Sequence, residues 1–159
     1  MTAFTATATF TRPNDTTAYA ANDLVANSTT AGSVVPMAFH FPTAFGTGIV
    51  IREIGITKSG TSAANANFHV RMYDMSPTVA NGDNGAWSTN LSGYMGKLDA
   101  AIMEAFTDGA AIQDSLSEAA DCQCDLPANG VTYGLLVADA AYTPAANEVF
   151  TVTLQAEVL

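Results

Sequence analysis

The chain has 159 residues, a net charge of −10, and 13% charged against 48% hydrophobic residues. That composition excludes a disordered segment and fits one folded domain spanning 1–159, long enough to bury a core without disulfides or a structural metal. It also argues against nucleic acid as a partner, because the five lysines and arginines of the whole chain do not cluster as phosphate neutralisation requires.

Taken in order, the chain reads as strands and turns. Phe4, Ala6, Ala8 and Phe10 alternate with Thr5, Thr7, Thr9 and Thr11, the period of two that predicts a first strand ending at Arg12-Pro13. Pro13 to Thr17 is turn chemistry, with proline setting φ and Asn14 and Asp15 able to bond their own backbone. Asp23-Leu24-Val25 suits a short strand, and Asn27 to Ser33 reads as loop. Val34 to Phe41 resumes strand character, with Met37, Phe39 and Phe41 on one side and Pro36 pushing its start toward a sheet edge. The strongest pair of strand signals follows, over 48–58 and 66–74, and the small polar stretch Ser59 to Asn65 between them predicts a hairpin. In the second of these, Phe68, Val70 and Met72 share one face, with His69, Arg71 and Tyr73 on the other.

Met75 to Gly85 is too rich in turn formers to be the interior of an element, and Trp87 to Leu91 suits a short extended piece. Residues 93–103 read as a strand, although Leu98, Ala101 and Ile102 would also suit a helix face. Residues 105–118 read as loop, with room for one helical turn. Asp121 to Leu126 alternates again, Pro127 to Gly130 is a turn, and Val131, Tyr133, Leu135 and Val137 predict one apolar face of a further strand. In the last strand Phe150, Val152, Leu154, Ala156 and Val158 alternate with Thr151, Thr153, Gln155 and Glu157. About eight strands with no convincing amphipathic helix predict an all-β fold: an antiparallel β-sandwich, jelly-roll-like. Its expected core joins Phe68, Val70, Met72, Leu135, Val137, Phe150, Val152 and Leu154.

Motifs for chemistry are absent. There is no nucleophile elbow, phosphate loop, dinucleotide fingerprint or zinc-protease motif, and His40 and His69 have no Ser or Cys neighbour in a triad-like context. The expectation is no enzyme and no cofactor. Cys122 and Cys124 are expected as free thiols without a metal, since a Cys-x-Cys pair supplies two ligands where a structural zinc needs four. Asn81, Asp83 and Asn84 offer oxygens that could hold calcium, though Asn-Gly-Asp-Asn-Gly is also what a tight turn needs. Trp87 and Tyr94 flank that loop and could stack on a sugar ring, burial being the alternative for the tryptophan. No apolar run reaches the length of a membrane span and the N-terminus lacks a signal-peptide pattern, so the expectation is a soluble protein made in the cytoplasm.

At Phe10-Thr11-Arg12-Pro13-Asn14-Asp15-Thr16-Thr17-Ala18-Tyr19 and Asp23-Leu24-Val25-Ala26-Asn27-Ser28 the chain resembles small structural proteins of tailed bacteriophages. Ser76-Pro77-Thr78-Val79-Ala80-Asn81-Gly82-Asp83-Asn84-Gly85-Ala86, Thr132-Tyr133-Gly134-Leu135-Leu136 and Tyr142-Thr143-Pro144-Ala145 continue the likeness. The resemblance implies a non-enzymatic virion protein, a head decoration or cement protein. Its partners would be the major capsid protein and further copies of itself, commonly as a homotrimer. A tail- or fibre-associated carbohydrate-binding adhesin is the alternative.

Charge suggests an orientation for such a protein. Residues 1–97 hold five bases and five acids, whereas residues 98–159 hold ten acids and no base. Acidic surface is costly to desolvate against a shell unless bases meet it. The expected contacts to capsid or subunit are therefore Phe4, Phe10, Arg12 and Tyr19, with Asp108, Asp114 and Glu118 on outward loops.

Overall fold

The alternation at the start of the chain becomes β1 (Ala3–Thr11), with Ala6 buried, Phe4, Ala8 and Phe10 packed partly against the core, and the threonines outside. The computed structural model describes residues 3–42, 48–102, 104–115, 122–127 and 129–159. Within them follow β2 (Leu24–Val25), β3 (Met37–His40), β4 (Gly48–Lys58), β5 (Asn67–Tyr73) and β6 (Tyr94–Ala101). The remaining strands are β7 (Glu104–Ala105), β8 (Ala110–Ser115), β9 (Cys122–Asp125), β10 (Val131–Ala138) and β11 (Val149–Val158).

These strands form two antiparallel sheets. One is six-stranded, ordered β1-β11-β4-β8-β7 with β9 also pairing β4; the other is five-stranded, ordered β2-β10-β5-β6 with β3 also pairing β10. The principal strands in chain order are β1, β3, β4, β5, β6, β8, β10 and β11. Numbered one to eight, they run 1-8-3-6 in the first sheet and 2-7-4-5 in the second. That is jelly-roll connectivity, and the expected all-β sandwich is the observed fold.

The core lies between the sheets. Ile49, Ile51, Ile54, Ile56, Phe150, Val152 and Leu154 of one sheet meet Phe39, Phe68, Val70, Met72, Leu98 and Leu136 of the other. Phe68 packs edge-on against Phe150 with ring centroids 5.5 Å apart, and Phe150 stacks on Phe10 at 5.6 Å. In β4 the inward isoleucines change parity between Ile51 and Ile54. The ladder shows why: Gln155 faces Glu53 and Ala156 faces Ile51, so Arg52 is the extra residue of a β-bulge.

Three expectations are corrected. The stretches 48–58 and 66–74 are not a hairpin: β4 pairs β11, β8 and β9, β5 pairs β10 and β6, and the segment between them crosses from one sheet to the other. Small polar loop residues permit a turn, but partners far along the chain chose the pairing. Residues 105–118 are not all loop, since β8 pairs β4 from Glu53↔Ser115 to Lys58↔Ala110. Its side chains are mostly exposed or half-buried, so no alternation marked it. In β10 the expected face is inverted: Leu136 and Ala138 join the core while Leu135 packs in a separate outer cluster and Val137 is buried outside the inner one. A Cβ on Gly134 would come within 2.9 Å of Phe39 and Val70, so that position also faces inward. The described residues hold eleven strands: β2 and β9 fall on the stretches 23–25 and 121–126 where strand character was expected, while β7 and β8 occupy the region around the stretch read as loop.

Candidate functional site

The segments flagged for function converge on one end of the sandwich and on the outer face of the β10-β5-β6 sheet. Past β1, the chain puts Arg12 into the interior, 1% exposed, where Nη2 donates to Asp83 Oδ2 at 2.8 Å. Arg12 Nε also donates to the Tyr19 hydroxyl, and Nη1 reaches the carbonyls of Asp15 and Ala145, each at 3.2 Å. Tyr19 in turn donates to Asp83 Oδ1 at 2.7 Å, and the Ala26 N–H donates to the same oxygen at 2.8 Å. Burial opposes the charge on Arg12, but Tyr19 and Asp83 outweigh it and its pKa is raised. Burial, then the Asp83 charge, push the Tyr19 hydroxyl upward, so it stays a donor.

A second buried pair stands beside the first. Lys58 Nζ donates to Glu148 Oε1 at 3.1 Å and to the Gly60 carbonyl at 2.7 Å, and the Tyr142 hydroxyl lies 2.6 and 2.8 Å from the two Glu148 oxygens. Burial and Glu148 raise the Tyr142 pKa. The two groups are joined through the parallel rings of Tyr19 and Tyr142, 6.3 Å between centroids, and through the bond from Arg12 N–H to the Glu148 carbonyl. Sequence reading missed Lys58 and Glu148. The available signal was phase: Lys58 follows Ile54 and Ile56 on the inward side of β4, and a lysine in that register requires a buried acid.

This network settles the geometry of the loop after β5. Asp83 N–H bonds the Ser28 carbonyl and Asn84 N–H the Leu24 carbonyl, while a Cβ on Gly82 would lie 2.1 Å from the Thr29 carbonyl oxygen. Asn81 donates to the Ala86 carbonyl and Asn84, at φ 61°, to the carbonyls of Thr17 and Ala18. The Asp83 carboxylate is turned inward and paired, which leaves a calcium ion no share of it. The hydrogen bonds within 81–86 and the positive φ of Asn84 are those of a tight turn. Arg12 and Tyr19, expected as docking contacts, are corrected for the same reason: both are sealed inside. Phe4 and Phe10 stay half-buried on β1.

The pinned loop covers the outer face of β5 and β10. Leu24, Ala26, Tyr73, Val79 and Leu135 form a small second cluster there, with Val34, Trp87 and Tyr133 packed on it. The Arg71 guanidinium lies 3.9 Å from the Trp87 ring centroid, an attraction of cation and ring quadrupole. Tyr73 meets Tyr94 at 5.6 Å in an edge-on contact, and its hydroxyl, its pKa raised by burial, lies 2.6 Å from Thr89 Oγ1. Arg71, Tyr73, Trp87, Leu91 and Tyr94 thus line a shallow recess of about 220 Å³. Trp87 and Tyr94 do meet at one site, with Arg71 as the member that sequence reading missed.

On the same face His69 is 2% exposed, and its Nδ1 lies 2.6 Å from Asp139. Asp99 stands opposite it in the ladder, and ligating atoms of the three residues lie within 4.8 Å of one another. One imidazole and two carboxylates form a possible metal-binding set, but Asp99 is bonded by Lys97 at 2.7 Å and Nδ1 is engaged by Asp139. Burial lowers the His69 pKa against the pull of Asp139. At neutral pH the imidazole is then uncharged and its Nδ1–H donates to Asp139, while its Nε2 has no partner among the described residues. Asp108 and Asp114 are exposed, Asp114 on β8 and not on a loop. Glu118 and the thiols of Cys122 and Cys124 lie outside what is described.

No family model matches the chain, and no curated protein matches it. Among solved structures it is similar to a chain in the virus-like particle of the extra small virus of the giant freshwater prawn Macrobrachium rosenbergii. The TM-score is 0.28 at 12% identity, covering 91% of this chain and 78% of that one. It is also similar to a chain of a marine algae virus of the order Picornavirales, with a TM-score of 0.25 at 12% identity, covering 95% of this chain and 66% of that one. At such scores neither likeness bears on function.

Proposed function

We propose that this chain is a non-enzymatic virion protein of a tailed bacteriophage, a decoration protein that binds the assembled head and bridges neighbouring capsid subunits. The observation that carries the reading is where the resembling stretches meet. Residues 10–19, 76–86 and 142–145 are far apart in sequence, yet they converge on the Arg12, Tyr19, Asp83 and Tyr142 cluster. What the resemblance marks is therefore the latch that holds the loops of this jelly roll. The titratable groups of the cluster are paired and sealed, which suits a protein that works through its surfaces. Many copies with several weak contacts each suffice for such a role, because effective concentration multiplies them.

The exposed acids favour an orientation. Asp99, Asp108, Asp114, Asp125 and Asp139 are all exposed, and they are turned away from the shell. Purified protein added to undecorated heads should coat them uniformly in cryo-EM maps and bind with little dependence on salt. Occupancy confined to a tail tip would refute the reading. Steep weakening by salt, lost in an Asp108→Asn, Asp114→Asn variant, would show that the acidic side docks.

A second reading, a carbohydrate-binding adhesin, is favoured by one observation: the recess holds the half-exposed Tyr94 beside Trp87 and Arg71. Binding to host-surface glycans that Tyr94→Ala abolishes, with head binding absent, would establish it in place of the first.

A further inference from the structure

Sheet edges in soluble proteins are guarded, since a row of unpaired N–H and C=O groups invites another strand. Three of the four edge regions here are guarded in ordinary ways. β6 carries Lys97 and Asp99 and a register shift opposite Met72 and Tyr73. The β2 and β3 edge is split into pieces of two and four residues, with Pro36 ahead of the second. The far edge of the larger sheet is divided among β7, β8 and β9, with Glu104, Asp114 and Asp125 along it. β1 has none of these devices: nine residues, Ala-Phe-Thr-Ala-Thr-Ala-Thr-Phe-Thr, without charge, proline or bulge, and paired among the described residues only to β11.

The segment from Phe4 to Phe10 reads the same in both directions about Thr7. Phe4 mirrors Phe10, Thr5 mirrors Thr9 and Ala6 mirrors Ala8. Antiparallel pairing of two such strands about a two-fold axis through Thr7 therefore sets each residue opposite its own kind. The backbone has the matching phase. Arg12 N–H bonds the Glu148 carbonyl across the ladder that continues from Thr11↔Val149, so even-numbered residues bond β11. The N–H and C=O of Thr5, Thr7, Thr9 and Thr11 then point to the open edge. The mirror register pairs odd with odd, as hydrogen bonding across that edge requires.

We propose that two copies of this chain associate through β1, antiparallel and centred on Thr7, so that the larger sheets of both become one continuous sheet. The contact is isologous. Threonine rows already bond each other within the chain, Thr7 to Thr153 at 3.1 Å and Thr9 to Thr151 at 2.9 Å, and the new pair extends that pattern. Alongside the edge runs a groove of about 490 Å³, where the half-buried Phe10 faces Val35, 69% exposed. A second strand covers both. With a net charge of −10 on each copy, an uncharged edge is also where two copies approach at least electrostatic cost. The contact is independent of what the assembly decorates.

Sedimentation equilibrium of the full chain, Thr7→Pro and Thr7→Lys tests it, with circular dichroism confirming that each variant is folded. The Thr7 N–H points away from β11 and bonds nothing among the described residues, so proline is tolerated at the edge but blocks a partner, and lysine at 7 faces its own copy. The wild-type assembly should have an even number of chains, and either substitution should halve its mass. Thr7→Cys should form an interchain disulfide on oxidation, since the Cα spacing of about 5.5 Å usual for a hydrogen-bonded antiparallel pair lies within the range that a disulfide spans. A monomeric or trimeric wild type, a mass that either variant leaves unchanged, or equal cross-linking through Thr5→Cys would overturn the proposal. Head binding is scored separately, so failure here leaves the decoration reading standing.

Discussion

The outer faces of the two sheets differ in kind. That of the larger sheet is bare, a row of Thr7, Thr9, Thr151 and Thr153 with Gly55 and Gln113 beside it, exposed or half-buried. That of the smaller sheet is roofed by the 74–93 loop and holds a second apolar cluster, a buried histidine and a guanidinium stacked on indole. A jelly roll needs only the core between its sheets. The roof exists because Asp83 is drawn into a buried ion pair with Arg12, and what it covers becomes interior. Burial on an outer face is thus decided by a loop anchor and not by the strands beneath.

The largest break of that comparison should come from Asp83→Ala. Removing one partner of a fully buried pair costs about 3–5 kcal/mol, read as a lowered denaturant midpoint, and proteolysis within 74–93 should accelerate while the rest of the chain resists. Arg12→Met combined with Asp83→Leu should recover part of the loss, since neither charge is then stranded. Leu154→Ala and Leu135→Ala compare the inner core with the roofed cluster. The first should cost about 2–5 kcal/mol and the second about 2, because a loop can settle into a cavity more readily than two sheets can.

A smaller effect belongs to His69. Its folded pKa lies below the ordinary value because burial disfavours the cation, so the unfolded chain binds the proton first. Its contribution is complete above about pH 6.5 and is lost as pH falls through the folded value. Asp139, Asp99, Arg71 and Lys97 are the charged groups around it. Urea titrations between neutral and mildly acid pH should show the decline, and His69→Gln should flatten it. Smallest is Thr153→Ala on the bare face, within about 0.5 kcal/mol of wild type; a larger loss would mean that this face is covered too.

Alternation was readable where one face of a strand meets the core and the other meets water. β1 and β11 satisfy that condition, and their inward residues lie where the pattern puts them. β10 does not, because it is central and roofed, so Gly134, Leu135, Leu136 and Val137 are all buried and periodicity names neither face. The bulge at Arg52 leaves a step of three between Ile51 and Ile54, a signal that sequence reading left unused. The site was less legible. Asn81 to Gly85 is a turn by its residue types, but that Asp83 serves Arg12, 71 residues away, has no local signal. Trp87 and Tyr94 were placed together by proximity in sequence, whereas Arg71 reached them only through the pairing of β5 with β6.

The amino-acid sequence by itself determined the all-β class, most of the strands, the turn chemistry and the absence of a catalytic motif, because these follow from residue types and periods of a few residues. Tertiary structure decided which strands pair, which face of β10 looks inward, and whether Arg12, Tyr19 and Asp83 are surface or interior. Those outcomes depend on what arrives from elsewhere in the chain: β4 pairs β11 about a hundred residues on in a jelly roll, and a charge is buried only where its partner is delivered to it.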